Sequence, residues 1–256
     1  MAKRLQGKRV LTTRPAHQAD TWGALLRATG AEVDTIPMLA IEPLIDEAAQ
    51  QAIKKRILDF DQVDFAIFVS QNAVCYAVDW LEDYWPQLPQ GPRYLAIGAA
   101  TAKALLMRGI PCEHSGEHMT SEDLLALPTL QEVSGLRVLI FRGTGGRTLI
   151  GDTLRARGGR VDYCELYRRS LPAGAPADLA GYSFTPDAIT VHSGETLANL
   201  HSCIERTNCA HLLQAALICP SARVAEQARA LGFIYTSSAQ NAGDSAMLEA
   251  LLRALN

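Results

Sequence analysis

Six short apolar runs punctuate the chain: Val10-Leu-Thr-Thr13, Phe65-Ala-Ile-Phe-Val69, Tyr94-Leu-Ala-Ile97, Val138-Leu-Ile-Phe141, Ala188-Ile-Thr-Val191 and Ala216-Leu-Ile-Cys219. They are nearly continuous rather than strictly alternating, which predicts strands covered on both faces, as in a parallel sheet. Segments of helical period lie between them. Ala19-Asp-Thr-Trp-Gly-Ala-Leu-Leu-Arg-Ala-Thr29 places Trp22, Leu25 and Leu26 on one face. Gly30, Gly109, Gly158 and Gly232 each follow the last residue of such a segment, where glycine takes the left-handed helix-ending turn most cheaply. Strands alternating with helices predict an α/β fold.

The pattern is written twice. Gly7-Lys-Arg-Val-Leu-Thr-Thr-Arg14 lines up with Gly135-Leu-Arg-Val-Leu-Ile-Phe-Arg142, and Leu26-Arg-Ala-Thr-Gly30 with Leu154-Arg-Ala-Arg-Gly158. Further on, Asp64-Phe-Ala-Ile-Phe-Val-Ser70 meets Asp187-Ala-Ile-Thr-Val-His-Ser193. The repeat is of domain size, so it reads as a duplication and not a solenoid. With about five strands per copy, each half is expected to be a flavodoxin-like doubly wound parallel sheet.

One element of each copy is too long for that plan. Glu32–Pro43 and Arg160–Pro172 are extended segments of twelve and thirteen residues, against a usual strand of about 5–6. Each is either a strand plus an irregular loop or a connection running between two domains; Pro37 and Pro43 suit an edge or linker strand. Whether each half folds on itself or exchanges strands with the other stays open at this level.

Ligands of doubly wound sheets sit beyond the carboxyl ends of the strands. The residues there are Arg14, Ser70-Gln71-Asn72, Gly98 and Thr101, Arg142-Gly143-Thr-Gly-Gly146-Arg147, Ser193-Gly194 and Ser221. Hydroxyls, helix N-terminal N–H groups and guanidinium forks suit carboxylate or phosphate oxygens. Ser70 and Ser193 are equally well placed as simple N-caps. The glycine-rich turn after Arg142 lacks the Lys-Ser/Thr of a P-loop, and a tight strand-to-helix turn is its plainer reading. Tyr163 and Tyr167 lie four apart in the long second-copy strand, so both are expected on the same face, as edge packing or as a candidate general acid.

Charge and composition narrow the field. Among 256 residues, 24 Lys+Arg stand against 27 Asp+Glu, and 48% of positions are hydrophobic. A faintly acidic globular chain excludes bulk nucleic-acid binding, so an anionic ligand would have to be recognised by local donors. No apolar stretch approaches a membrane span. The basic N-terminus lacks the apolar region and cleavage site of a secretory signal, and six scattered cysteines suggest reduced thiols; a cytoplasmic monomer is expected. His201, Cys203, Cys209 and His211 fall close together but match no zinc spacing, and His114 with His118 offers no third ligand, so no metal site is expected. His192, inside an apolar run, reads as a core or rim histidine. No acidic cluster follows the first strand of either copy, which argues against a receiver-type signalling module.

Taken together, Thr13-Arg14-Pro15, Ser70-Gln71-Asn72-Ala73-Val74, Ala96-Ile97-Gly98 with Thr101-Ala102, Arg142-Gly143-x-x-Gly146-Arg147, Glu165-Leu-Tyr167-Arg168 and Ser193-Gly194-Glu195 give the chain a resemblance to the uroporphyrinogen-III synthases over nearly its full length. The resemblance implies two α/β domains joined by a two-stranded ladder, with the first strand–helix–strand completed by the C-terminal part. On this sequence that places one domain at 1–36 plus 173–256, a second at 44–163, and linker strands at 37–43 and 164–172.

The implied substrate is hydroxymethylbilane, a linear tetrapyrrole with an acetate and a propionate on each ring. It closes with loss of water and inversion of ring D, without metal or cofactor. Tyr167 matches the family's tyrosine and is the candidate catalytic acid. Arg14, Ser70, Gln71, Asn72, Gly98, Thr101, Arg142, Gly143, Gly146, Arg147, Ser193, Gly194 and Ser221 are the candidate substrate contacts. Cys219-Pro220-Ser221-Ala222 departs from the family's Gly-x-Thr-Thr turn, so Ser221 alone carries over there. Hydroxymethylbilane synthase is a candidate transient partner. The alternative is a non-catalytic two-domain hinge binder of a small polyanion.

Overall fold

The structure, a computed structural model, describes residues 4–114 and 120–255. Its elements follow in the order β1 (Arg9–Thr12), α1 (Ala16–Ala28), β2 (Glu32–Thr35), β3 (Ala40–Pro43), α2 (Glu47–Leu58), β4 (Phe65–Phe68), α3 (Gln71–Tyr84), β5 (Arg93–Ala96) and α4 (Gly98–Met107). Then come β6 (Glu113–His114), α5 (Ser121–Leu125), β7 (Arg137–Gly143), α6 (Leu149–Ala156), β8 (Arg160–Ser170) and α7 (Ala175–Ala180). The chain closes with β9 (Ala188–Thr190), α8 (Gly194–Thr207), β10 (Ala216–Cys219), α9 (Ala222–Ala230), β11 (Thr236–Ser238) and α10 (Asp244–Leu255).

Two compact units result, one from residues 1–40 and 170–256, the other from 41–169. In the first, five strands stand in the order β11-β10-β9-β1-β2, all parallel. In the second the order is β3-β8-β7-β4-β5-β6, with β4 to β8 parallel. Taking β1-β2 and β7-β8 as the opening strands of the two copies, both sheets read 2-1-3-4-5, the flavodoxin-like order, with β3 added at the edge of the second beside β8. Each opening pair is completed by strands of the other copy: β1 pairs with β9, and β7 with β4.

The burial pattern explains why the strands read as continuous apolar runs. In β4, Phe65 and Ile67 enter one apolar layer while Ala66 and Phe68 enter the other, and β7 does the same with Val138 and Ile140 against Leu139 and Phe141. Phe68 and Phe141 stack at 4.8 Å, with Phe60 5.9 Å from Phe141; burying such a ring contributes roughly 1.5–3 kcal/mol. In the first unit Leu11, Ile189 and Leu217 face one layer and Val10, Ala188 and Ile218 the other. Trp22, Leu25 and Leu26 of α1 pack on the latter layer. The four helix-ending glycines all have positive φ, between 74° and 93°.

The segment Glu32–Pro43 is not one long strand. β2 belongs to the first sheet and β3 to the second. Between them Ile36 and Met38 still bond the first unit through the Thr12 and Thr13 carbonyls. Arg160–Ser170, by contrast, is one eleven-residue strand, and it is irregular. Arg142 lies opposite Glu165 but Gly143 lies opposite Tyr167, so Leu166 is an extra residue on β8. This β-bulge corrects the expectation for the two tyrosines. Leu166 and Tyr167, though consecutive, both join the layer holding Cys164 and Phe141, whereas Tyr163 packs against the opposite layer. Bulges re-aim side chains in this way, commonly beside sites.

Candidate active site

Within the second unit, the carboxyl ends of β4, β5, β7 and β8 surround a cavity of about 560 Å³. Ser70, Arg142, Gly143, Gly146, Arg147 and Tyr167 line it, together with Thr120, Ser121, Gly145, Tyr163 and Arg169. Six of the candidate catalytic and substrate-contact residues therefore share one hollow, and Tyr163, weighed with Tyr167 in the sequence, lines it too. Gln71, Asn72, Gly98 and Thr101 are close in sequence but not in its lining. Gln71 and Asn72 open α3, and Thr101 is buried within α4. Gly98 starts α4 at φ +74°, a backbone angle that favours glycine.

Tyr167 is 5% exposed. Its ring lies against Gly143, where a Cβ would come within 2.5 Å of ring atom Cε2, and stacks on Tyr76 at 5.5 Å. Burial raises the Tyr76 phenol, with smaller contributions from Cys75 and Tyr167, so Tyr76 stays neutral beside it. The Tyr167 hydroxyl is 2.9 Å from Ser70 Oγ. Ser70 also caps α3, accepting the Ala73 N–H at 3.0 Å. Cap and site residue are thus one role, because the hydroxyl that accepts the helix N–H keeps a proton and a lone pair for the phenol.

Arg142, 7% exposed, is held from several sides. Its Nε donates to the Gly143 carbonyl at 3.1 Å and Nη1 to the Arg147 carbonyl at 3.3 Å, with Glu165 3.8 Å from Nε. The guanidinium lies 4.8 Å from the Tyr163 ring centre. A buried guanidinium at a cavity wall, beside the positive-φ glycines Gly145 and Gly146, is suited to a carboxylate. Thr120 and Ser121 lie six and seven residues past the end of β6 at His114, further than the strand-end rule reaches, and Arg169, two residues beyond Tyr167, has no such signal either.

In the first unit the candidates occupy the matching strand ends. Ser193 caps α8 through the Thr196 N–H at 3.0 Å and Ser221 caps α9 through the Val224 N–H at 3.4 Å. Gly194 lines a separate hollow between α8 and α9, of about 550 Å³. Arg14 pairs with Asp244 at 2.6 Å and lies 5.2 Å from the Trp22 ring. Trp22 meets His192 edge-on at 5.4 Å.

The His192 ring nitrogens are shielded from solvent and, among the described residues, have no hydrogen-bond partner. Burial, and to a lesser degree Arg14, pushes this imidazole down to about 3. A base whose folded value lies below its unfolded one contributes stability fully above about pH 6.5 and loses it as the pH falls towards 3. At pH 5 the loss is expected to reach about 2 kcal/mol. Denaturant titrations at pH 7 and pH 5 should show it in the wild type and not in His192→Phe; equal pH dependence in both would remove His192 as the cause.

Cys203 and Cys209 are buried in the first unit's core, and His201 lies 3.5 Å from Glu205. Among the described residues no cluster of three or more His, Cys, Asp or Glu could hold a metal. His118 lies outside the described residues. Among those residues no helix is long and apolar enough to cross a membrane.

The family model described as uroporphyrinogen-III synthase HemD matches residues 20–249. The chain belongs to the uroporphyrinogen-III synthase family. It is an enzyme of the lyase class. A uroporphyrinogen-III synthase of Salmonella typhimurium is 35% identical over 246 residues, covering 94% of this chain and 99% of the relative. One of Escherichia coli is 36% identical over 251 residues, covering 94% and 99%. A crystal structure of a mutant uroporphyrinogen III synthase from Thermus thermophilus superposes with a TM-score of 0.62 at 20% identity, covering 97% of this chain and 99% of that one. At that identity the likeness speaks for the fold alone. The α/β architecture with parallel sheets is therefore the family's architecture.

Proposed function

We propose that the chain closes hydroxymethylbilane to uroporphyrinogen III with Tyr167 as the general acid. The observation that carries this reading is the Tyr167 hydroxyl paired with Ser70 in the cavity that Arg142 also lines. Ser70 has a single proton and already accepts from Ala73. When Ser70 donates to Tyr167, the phenol's own proton is free for the cavity. It goes to the substrate's hydroxymethyl oxygen, the C–O bond breaks, water leaves, and a cationic azafulvene remains. The same serine then donates to the phenolate, a charge-assisted bond stronger than the one before transfer.

The substituted carbon of ring D attacks the cation and gives a spiro intermediate. That intermediate breaks its bond to ring C and recloses through ring D's unsubstituted carbon. The proton that this carbon sheds returns to Tyr167. The balance is substrate to macrocycle plus water, with no electrons exchanged. The enzyme's second task is to present the substituted carbon first, and orientation can contribute several kcal/mol. Arg14, Arg142 and Arg147, the hydroxyls of Ser193 and Ser221, the Gln71 and Asn72 side chains, and the backbone at Gly98, Gly143, Gly146 and Gly194 would serve the substrate's carboxylates and ring N–H groups, whereas the Ser70 hydroxyl serves Tyr167 and Thr101 is buried within α4. A cytoplasmic monomer, receiving its substrate in transient contact with hydroxymethylbilane synthase, completes the reading.

The test is incubation with hydroxymethylbilane, oxidation of the product and separation of the uroporphyrin isomers. Type III isomer is expected. Type I isomer alone, the product of unassisted closure, would overturn the reading in favour of a non-catalytic binder.

A further inference from the structure

The two tyrosines of β8 are used differently. The Tyr163 hydroxyl donates to the Thr148 carbonyl at 3.3 Å, which turns its proton to the backbone at the start of α6. What Tyr163 offers is its ring. Arg142 lies 4.8 Å from the ring centre and Arg155 5.2 Å, so two guanidinium cations converge on one aromatic group. The negative potential of an aromatic face offsets the desolvation of such a cation.

Arg155 is secured independently, by Asp152 at 3.4 Å and the Val161 carbonyl at 2.9 Å. Arg142 has its Nε and Nη1 occupied by backbone carbonyls. Among the described residues its Nη2 has no partner, and it lies where a Cβ on Gly146 would come within 3.0 Å. Gly151 allows the arrangement, since a Cβ there would overlap the Tyr163 hydroxyl. A guanidinium fixed on one side by carbonyls and on its face by a ring, with Nη2 unpaired, is prepared for an incoming carboxylate before it arrives.

We infer that Tyr163 is a positioning residue, whose ring holds Arg142 as a fixed receptor for one carboxylate of the substrate. The inference rests on the synthase reading and deepens it. The role concerns binding, so it should appear in KM and not in kcat. Steady-state kinetics with hydroxymethylbilane are expected to show KM raised roughly 2- to 30-fold in Tyr163→Leu, the range of a cation–π contact, with kcat within about two-fold of the wild type.

Tyr163→Phe keeps the ring and is expected to return KM to near the wild-type value. In Arg142→Lys the loss caused by Tyr163→Leu should largely disappear, because a lysine lacks the planar group the ring holds. Should Tyr163→Leu fail to fold, Gly151→Ala, which displaces the same ring, is expected to raise KM in its place. An unchanged KM in the folded variant, or a fall in kcat alone, would overturn the inference. The wild-type control separates this from the larger reading: without type III product the synthase assignment fails, whereas type III product with an unchanged KM sinks only the role of Tyr163.

Discussion

Tyr167→Phe is expected to lower kcat by roughly 10²–10⁴-fold, the contribution of a positioned general acid. The effect should fall equally on kcat and kcat/KM, because the phenol's proton is given up only as the C–O bond breaks. Little else should change. The ring keeps Gly143 on one side and Tyr76 at 5.5 Å. The one bond lost is that to Ser70, worth about 1 kcal/mol of stability. Single-turnover formation of type III isomer, with a melting curve of the same variant, checks both halves. Turnover close to the wild type would take Tyr167 out of the chemistry and leave folding of the substrate as the whole of catalysis.

Gly143→Ala should come close to the same result by a different route. Gly143 was read from the sequence as a substrate contact, yet the structure gives it a steric role as well. An added methyl would sit 2.5 Å from Tyr167 Cε2 and 2.9 Å from Cζ, and the ring cannot retreat because Tyr76 stacks on it. The backbone itself tolerates alanine, so the strain falls on the tyrosine. Overpacking of this kind costs about 1–3 kcal/mol. Displacing the phenol by an ångström is expected to lower kcat on the order of 10²-fold. Combining Gly143→Ala with Tyr167→Phe should then lower turnover little beyond Tyr167→Phe alone, since both changes disable the same group. Fully multiplicative losses would show that Gly143 acts on the substrate independently of the tyrosine.

Much of the fold was legible because it rests on local rules. Apolar runs such as Phe65–Phe68 and Val138–Phe141 feed alternate side chains into two layers, and that double burial is what a continuous apolar run reports. The helix-ending glycines were legible for the same reason, as their backbone angle depends on the residue itself. Ser70, Arg142 and Tyr167 could be found as strand-end residues, but their convergence could not. The direction of Tyr167 depends on Leu166 being surplus to the register with β7, a property of two strands together. The alternation rule, applied to β8 alone, put Tyr163 and Tyr167 on one face. The burial of Arg142, its carbonyl partners and the ring beneath it are likewise tertiary facts. Thr120 and Ser121 were out of reach of the strand-end rule, because they stand six and seven residues past the end of β6 at His114.

The way the strands are shared between copies has a consequence for synthesis. The second unit is one unbroken stretch, 41–169, whereas the first joins 1–40 to 170–256. On a ribosome adding ~5–20 residues per second, the second unit can complete its sheet while β1 and β2 wait for β9, the strand that pairs with β1. For several seconds the flank of β1, with Val10 and Leu11, stays open to other chains, the kind of unpaired edge that invites aggregation. Nascent chains arrested before residue 188 should therefore be more prone to misassembly than finished ones. The lobe that carries Tyr167 would be built first, and the other would be closed by the last third of the chain.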